Sequence, residues 1–161
     1  MKKISMLLLG LTVASSAFAM KVGYVNSQEL FSNYTQTKII QNNLNKQKSR
    51  LENEIKEKEV NLQKLQVELQ AKGAQATEAQ KKAFQNKVDE FQKLVRDSQT
   101  KLNREEMSRL QEIDRIMNGA IQNVAKKGGY EYVFEQGAMK FGGDNLTPKV
   151  LQVMEQTKKL K

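Results

Sequence analysis

The sequence predicts a mostly α-helical subunit in which a long antiparallel helical hairpin, a coiled-coil-like arm, projects from a small body built of β-strands. From Asn26 to Lys127 about a hundred residues pass without proline, and apolar residues recur at spacings of three, four and seven, as in helices that bury a narrow stripe. The run is interrupted once, at Ala71-Lys72-Gly73-Ala74-Gln75-Ala76. At both ends of the chain the hydrophobic period changes from that of a helix to that of a strand.

The first element is a secretory signal. Lys2-Lys3, the apolar run from Ile4 to Val13 and the small-residue site Ala17-Phe18-Ala19 predict a signal peptide over 1–19, cut after Ala19. The apolar run is short for a membrane span. With no cysteine near it, lipid attachment of the usual bacterial kind is excluded. The mature chain is then 20–161, with a body drawn from 20–36 and 128–161 and an arm over 37–127.

Lys21-Val22-Gly23-Tyr24-Val25-Asn26 reads as a short strand with Val22 and Tyr24 on one face. Asn26, with Glu29 three residues on, caps the helix that follows. The first limb's stripe is Tyr34, Leu44, Leu51, Ile55, Leu62, Leu65 and Leu69, with Lys48 and Lys58 falling in its seam. The second limb offers Phe84, Val88, Phe91, Val95 and Leu102. After a four-residue shift its stripe resumes at Leu110, Ile113, Met117, Ile121 and Val124, with Ser98, Glu105 and Arg109 as polar interruptions. Limbs of about 45 to 50 residues would each reach roughly 65 to 75 Å. Between them, Gly73 can end one helix in a left-handed conformation, and Thr77 with Gln80 forms a capping box that starts the next.

The second limb stops at Lys126-Lys127-Gly128-Gly129. Tyr130 to Glu135 then alternates, and Met139 and Phe141 alternate with Ala138 and Lys140, which predicts two more strands paired as a hairpin. Leu146-Thr147-Pro148 opens a terminal helix, with Thr147 as cap, Pro148 in the first turn and an apolar side of Val150, Leu151, Val153, Met154 and Leu160. Three short strands and one small helix leave open sheet edges, and symmetric association is the usual remedy. The body's core, which is also the joint between subunits, is assigned to Val22, Tyr24, Val25, Tyr132, Phe134, Met139, Phe141, Leu151 and Met154.

Composition narrows the function. The chain has neither cysteine nor histidine, which removes disulfides, the commonest metal ligands and the commonest general base, so no enzyme, metal or cofactor is expected. Removing Lys2 and Lys3 with the leader leaves 25 basic against 18 acidic residues, a net of +7 that favours acidic partners. From Gln70 to Arg104 the local net is +4, whereas Arg50 to Leu69 carries four basic and five acidic residues. The excess sits on the outer half of the arm. Four tyrosines and six phenylalanines fall mostly in strands and seams, which leaves little for base stacking, and no specific nucleic-acid partner is expected.

Taken together, the cleaved leader, the Lys21–Asn26 strand leading through Glu29-Leu30-Phe31 into a helix, the long polar hairpin, Tyr132-Val133-Phe134-Glu135 and the ending Asp144-Asn145-Leu146-Thr147-Pro148-Lys149-Val150-Leu151 resemble the OmpH family over the whole mature chain. The two ends carry the specific likeness, since arms of this composition are generic. The resemblance implies a periplasmic homotrimer whose strands form a shared β-barrel body and whose arms enclose a cavity. It also implies ATP-independent capture of unfolded outer-membrane β-barrel proteins, and no phosphate-binding glycine loop of the Walker type is present. Contact with anionic lipid or lipopolysaccharide is a further implication, for which no residue of this chain is carried over. The candidates for holding a client are Lys72, Lys81, Lys82, Lys87, Lys93 and Arg96, with Phe84 and Phe91 between them. The alternative is a secreted structural or adhesive coiled coil, which would need exposed stripes for lateral assembly.

Overall fold

The computed structural model of the chain describes residues 20–157. The predicted signal peptide over 1–19 and Leu160 lie outside them. The order of elements is β1 (Val22–Val25), α1 (Ser27–Asn33), α2 (Thr35–Lys72), α3 (Glu78–Gly128), β2 (Tyr132–Glu135), β3 (Asp144–Asn145) and α4 (Thr147–Thr157), with short 3-10 turns at Gly73–Gln75 and Gln136–Ala138. At 1.5 Å per residue the 38-residue α2 is about 57 Å long and the 51-residue α3 about 76 Å. The long helices and small sheet are as expected, but the first limb is shorter than the predicted length of about 45 to 50 residues.

Local chemistry places the helix ends. Asn26 Oδ1 accepts from the Glu29 N–H at 2.9 Å. At the tip Gly73 has φ 48 but ψ −121, a positive-φ conformation that is not the left-handed helical one predicted, while the Thr77 hydroxyl and Gln80 side chain exchange both bonds of the capping box as expected. Gly129, left-handed at φ 67, ends α3 behind Lys126 and Lys127. One break was not expected: at Tyr34 the backbone turns extended and separates α1 from α2, so the helix that Asn26 caps is α1 and not the arm itself.

The sheet has the order β2-β1-β3, and both pairings are parallel. A parallel pair needs a long crossover. Here the whole arm is the crossover between β1 and β2. The predicted hairpin of Tyr130–Glu135 with Met139–Phe141 does not form. After β2 the chain enters its 3-10 turn, where the Gln136 side chain accepts from Asn26 Nδ2 at 2.9 Å. Gly142 and Gly143, at φ 77 and 80, then redirect it so that Asp144 and Asn145 pair with β1 on its other side. The Leu146 N–H donates to the Tyr24 carbonyl at 2.8 Å. The Thr147 hydroxyl accepts from the Asn26 N–H at 3.0 Å, and so ties α4 to the end of β1.

The core lies where the arm meets the body. Val25, Leu30 and Tyr34 pack with Ile113, Ala120 and Val124 of α3 and with Leu146, Val150 and Met154. The proximal part of α3 is thus packed into the body's interior, while the seam farther out is only half-buried apart from Ser98. The predicted phase of α3 also needs correction. Leu110 is 46% exposed and faces away from the seam, which runs without a four-residue shift through Ser98, Leu102 and Glu105 to Glu112 and Ile113. Val95 is 37% exposed and Leu94 half-buried. In α2 the seam takes Gln47 in place of Lys48, which is exposed and 3.8 Å from Glu52.

Candidate functional site

Alternation along β1 and β2 gives the sheet two unlike faces. Gly23, Val25 and Val133 turn toward the helices, and Gly23 and Val25 are buried. The other face carries Val22, Tyr24, Tyr132 and Phe134. Because Val22 pairs with Tyr132 and Tyr24 with Phe134, the four side chains stand as two neighbouring columns. Tyr132 and Phe134 stack with ring centroids 6.2 Å apart and remain 52% and 44% exposed. Phe141, 96% exposed, adds to the apolar surface of the subunit. Met139 is half-buried, and its side chain and that of Tyr24 both approach Gly143.

The nine residues assigned to the body therefore divide. Val25 and Met154 are in the subunit's own core, and Leu151 packs against it. Val22, Tyr24 and Met139 are half-buried, and Tyr132, Phe134 and Phe141 are uncovered in the single subunit. Large exposed apolar patches are a general feature of interaction surfaces in proteins. Nothing in the strand alternation alone could separate the two sets, because it gives period and not which face the helices cover.

On the arm, Lys72, Lys81, Lys82, Lys87, Lys93 and Arg96 are all exposed, and Phe84 and Phe91 are half-buried, one heptad apart on the seam. Lys81 pairs with Glu78 at 2.7 Å. Between the helices the seam opens into two shallow notches. One, of about 210 Å³, is lined by Leu65, Leu69 and Phe84 with Lys72 and Lys87 at its rim. The next, of about 290 Å³, lies among Leu62, Phe91 and Leu94 with Lys58 and Lys87. Glu68 also lines the first notch and Glu54 and Glu90 the second, so apolar side chains lie among charges of both signs along the outer half of the arm, and Lys87 borders both notches. Such a surface can offer weak apolar contact and attraction to carboxylates at neighbouring points.

A third feature, at the arm's root, had no signal in the sequence beyond the apolar position of Tyr34. A cavity of about 290 Å³ is bounded there by Tyr34, Ile40, Glu105, Arg109, Glu112 and Thr157, among others. Tyr34 is fully buried, and among the described residues its hydroxyl has no hydrogen-bond partner. Burial raises its pKa, and Glu155 and Glu112 raise it further. Tyr130 is also raised, chiefly because its hydroxyl donates to Asp144 at 2.7 Å.

The subunit is thus a long helical arm on a three-stranded parallel body, with an uncovered aromatic sheet face and a basic outer arm. Residues 21–154 match the family of OmpH-like outer membrane proteins, and the chain belongs to that family. It is 24% identical over 167 residues to the chaperone protein Skp of Vibrio cholerae serotype O1, an alignment covering 91% of this chain and 95% of that one. An OmpH-like crystal structure from Caulobacter crescentus superposes with a TM-score of 0.74 at 17% identity, covering 86% of this chain and 85% of that one, and shows a shared fold.

Proposed function

We propose that the protein is an ATP-independent periplasmic holdase that takes unfolded outer-membrane β-barrel proteins between its arms and keeps them from aggregating before insertion. The likeness to an outer membrane chaperone family along almost all of the mature chain supports the class. The observation that carries the mechanism is the placing of ammonium groups beside half-buried aromatic notches on the outer arm. A holder must bind unfolded chain without imposing one conformation. Many weak contacts accomplish this, since their sum gives avidity while each exchanges freely, and lowering the free concentration of the unfolded chain suppresses its self-association.

The proposed working unit is a homotrimer. The apolar sheet face of Val22, Tyr24, Tyr132 and Phe134 would close against its copies into a barrel, and three basic arms would surround the client. Long-range attraction then brings acidic unfolded chain in, and Phe84 and Phe91 hold it. Contact with anionic lipid or lipopolysaccharide belongs to this proposal with no residue assigned to it.

Reversing Lys72, Lys81, Lys82 and Lys87 together to Glu tests the electrostatic part. The assembly should survive, because no residue of the sheet is touched. Capture of an unfolded β-barrel membrane protein diluted from urea should weaken at least about tenfold and lose most of its salt dependence. Unchanged capture with unchanged salt dependence, in an assembly of parental mass, would remove the arm lysines from the mechanism.

A further inference from the structure

The two notches of the outer arm are one groove repeated. On α3 the first is lined by Phe84 and Lys87, and the second, seven residues on, by Phe91 and Leu94. On α2 the first is lined by Leu69 and Lys72, and the second, seven residues back, by Leu62 and Leu65. Since the two helices run in opposite directions, both shifts carry the lining the same way along the arm. Seven residues are close to two helical turns, so both notches open on the same side. Leu65 and Lys87 belong to both, which makes the notches contiguous. At 1.5 Å per residue one heptad sets them about 10.5 Å apart.

That separation distinguishes between conformations of a bound chain. In a β-strand, side chains on one face stand two residues apart, at about 6.7 Å, or four apart, at about 13 Å, and neither distance leads from one notch to the next. In a polyproline II segment, a major conformer of unfolded chains, side chains three residues apart share a face at roughly 9.3 Å, and rotation of the side chains takes up the small difference. Charge adds a second constraint. Across both notches Lys58, Lys72 and Lys87 are balanced by Glu54, Glu68 and Glu90, so the groove selects the position of a charge and not a net charge. Lys87 stands where the notches meet, is exposed, and among the described residues makes no ion pair, whereas Lys81 is held by Glu78 at 2.7 Å. Resting on the reading of the arm as the client-holding surface, we propose that this groove selects unfolded chain by register. Two apolar side chains three residues apart, on a polyproline II segment, enter the two notches, and a carboxylate between them faces Lys87. A segment that has become a β-strand no longer fits, so the groove holds a β-barrel client only until its strands form.

The chain has no tryptophan, so an indole placed in a peptide is the only one in the mixture. Terminally blocked, serine-rich peptides carrying a tryptophan and a phenylalanine two, three or four residues apart, with one aspartate between, are titrated with the mature protein, and the blue shift of the indole emission is followed. An alanine-based helical peptide with the pair seven residues apart represents a helical occupant. The three-residue spacing should bind at least about fivefold more tightly than any other, since only there are both rings covered at once. Ala83 lines the first notch and is exposed, so Ala83→Leu keeps a good helix former and fills part of the notch; it should erase the preference. Asparagine in place of the peptide's aspartate should weaken binding to the parent and make no difference to Lys87→Gln. Equal affinities, a preference for two, four or seven residues, a ranking that survives Ala83→Leu, or an aspartate effect that survives Lys87→Gln would overturn the proposal. Absence of saturable binding by every peptide would overturn it too, and capture of an unfolded β-barrel membrane protein by the same preparation then shows whether the holding function falls with it.

Discussion

Leu146 occupies the space that a Cβ on Gly23 would need: an added Cβ would lie 2.5 Å from its Cδ1 and 2.9 Å from its Cγ. Leu146 is itself buried and its N–H is held by Tyr24, so it has little room to retreat. Gly23→Ala should therefore destabilise the body by about 1–3 kcal/mol, measured by urea unfolding; an unchanged midpoint would mean that Leu146 moves aside freely. Tyr34 gives a second test at this scale. Its folded-state pKa is raised above 10.0, first by burial and then by Glu155 and Glu112, so folding favours the neutral phenol. That contribution is fully present below pH 10.0 and is lost as pH rises through the higher folded-state value. Tyr34→Phe should be near neutral in stability at pH 7, since the hydroxyl has no partner to lose, and should lessen the fall above pH 10.0. Superposable profiles of urea midpoint against pH for the two proteins would contradict this. The strand at Gly23 could be read from its own residues; the Leu146 that crowds it, 123 positions on, could not.

At the scale of the element, the arm divides into a firm root and a loose end. Every fully buried apolar residue of α3, namely Ile113, Ala120 and Val124, lies near the body, and beyond Ser98 the seam to the tip is at most half-buried. Helices in proteins draw most of their stability from such packing. Hydrogen exchange should therefore show residues 65–95 opening far more readily than β1, α4 and the root of α3, and uniform protection from body to tip would contradict this. The place of the arm's turn was legible because Gly73 and the Thr77–Gln80 box act on their nearest neighbours. The phase of α3 was not, since Ser98 and Glu105 hold seam positions that an apolar count passes over while the exposed Leu110 attracts it. The third strand escaped for a related reason. Asp144 and Asn145 have no apolar period, and their pairing is set by Gly142, Gly143 and a distant β1, whereas the alternation around Met139 and Phe141 carries no ladder of hydrogen bonds.

For the whole molecule, the question is what covers the sheet. Among the described residues both outer strands have an open edge, and no helix lies over the face of Val22, Tyr24, Tyr132 and Phe134. The chain's own helices cover the other face only. The proposal of an assembly could be argued from the shortage of strands; which aromatics are uncovered required the parallel register. The proposed homotrimer places Phe134 in a closed interior, where a carboxylate would be buried without a partner. Within a single subunit Phe134 is 44% exposed and outside the core, so Phe134→Asp should leave the subunit folded. The most direct measurement is the native mass of the mature protein beside that of Phe134→Asp, with helicity followed by circular dichroism. The expected result is three subunits for the parent and one for the variant at equal helicity. A parent of one subunit, or a variant that keeps the parent's mass, would contradict the assembly on which the proposed cavity depends.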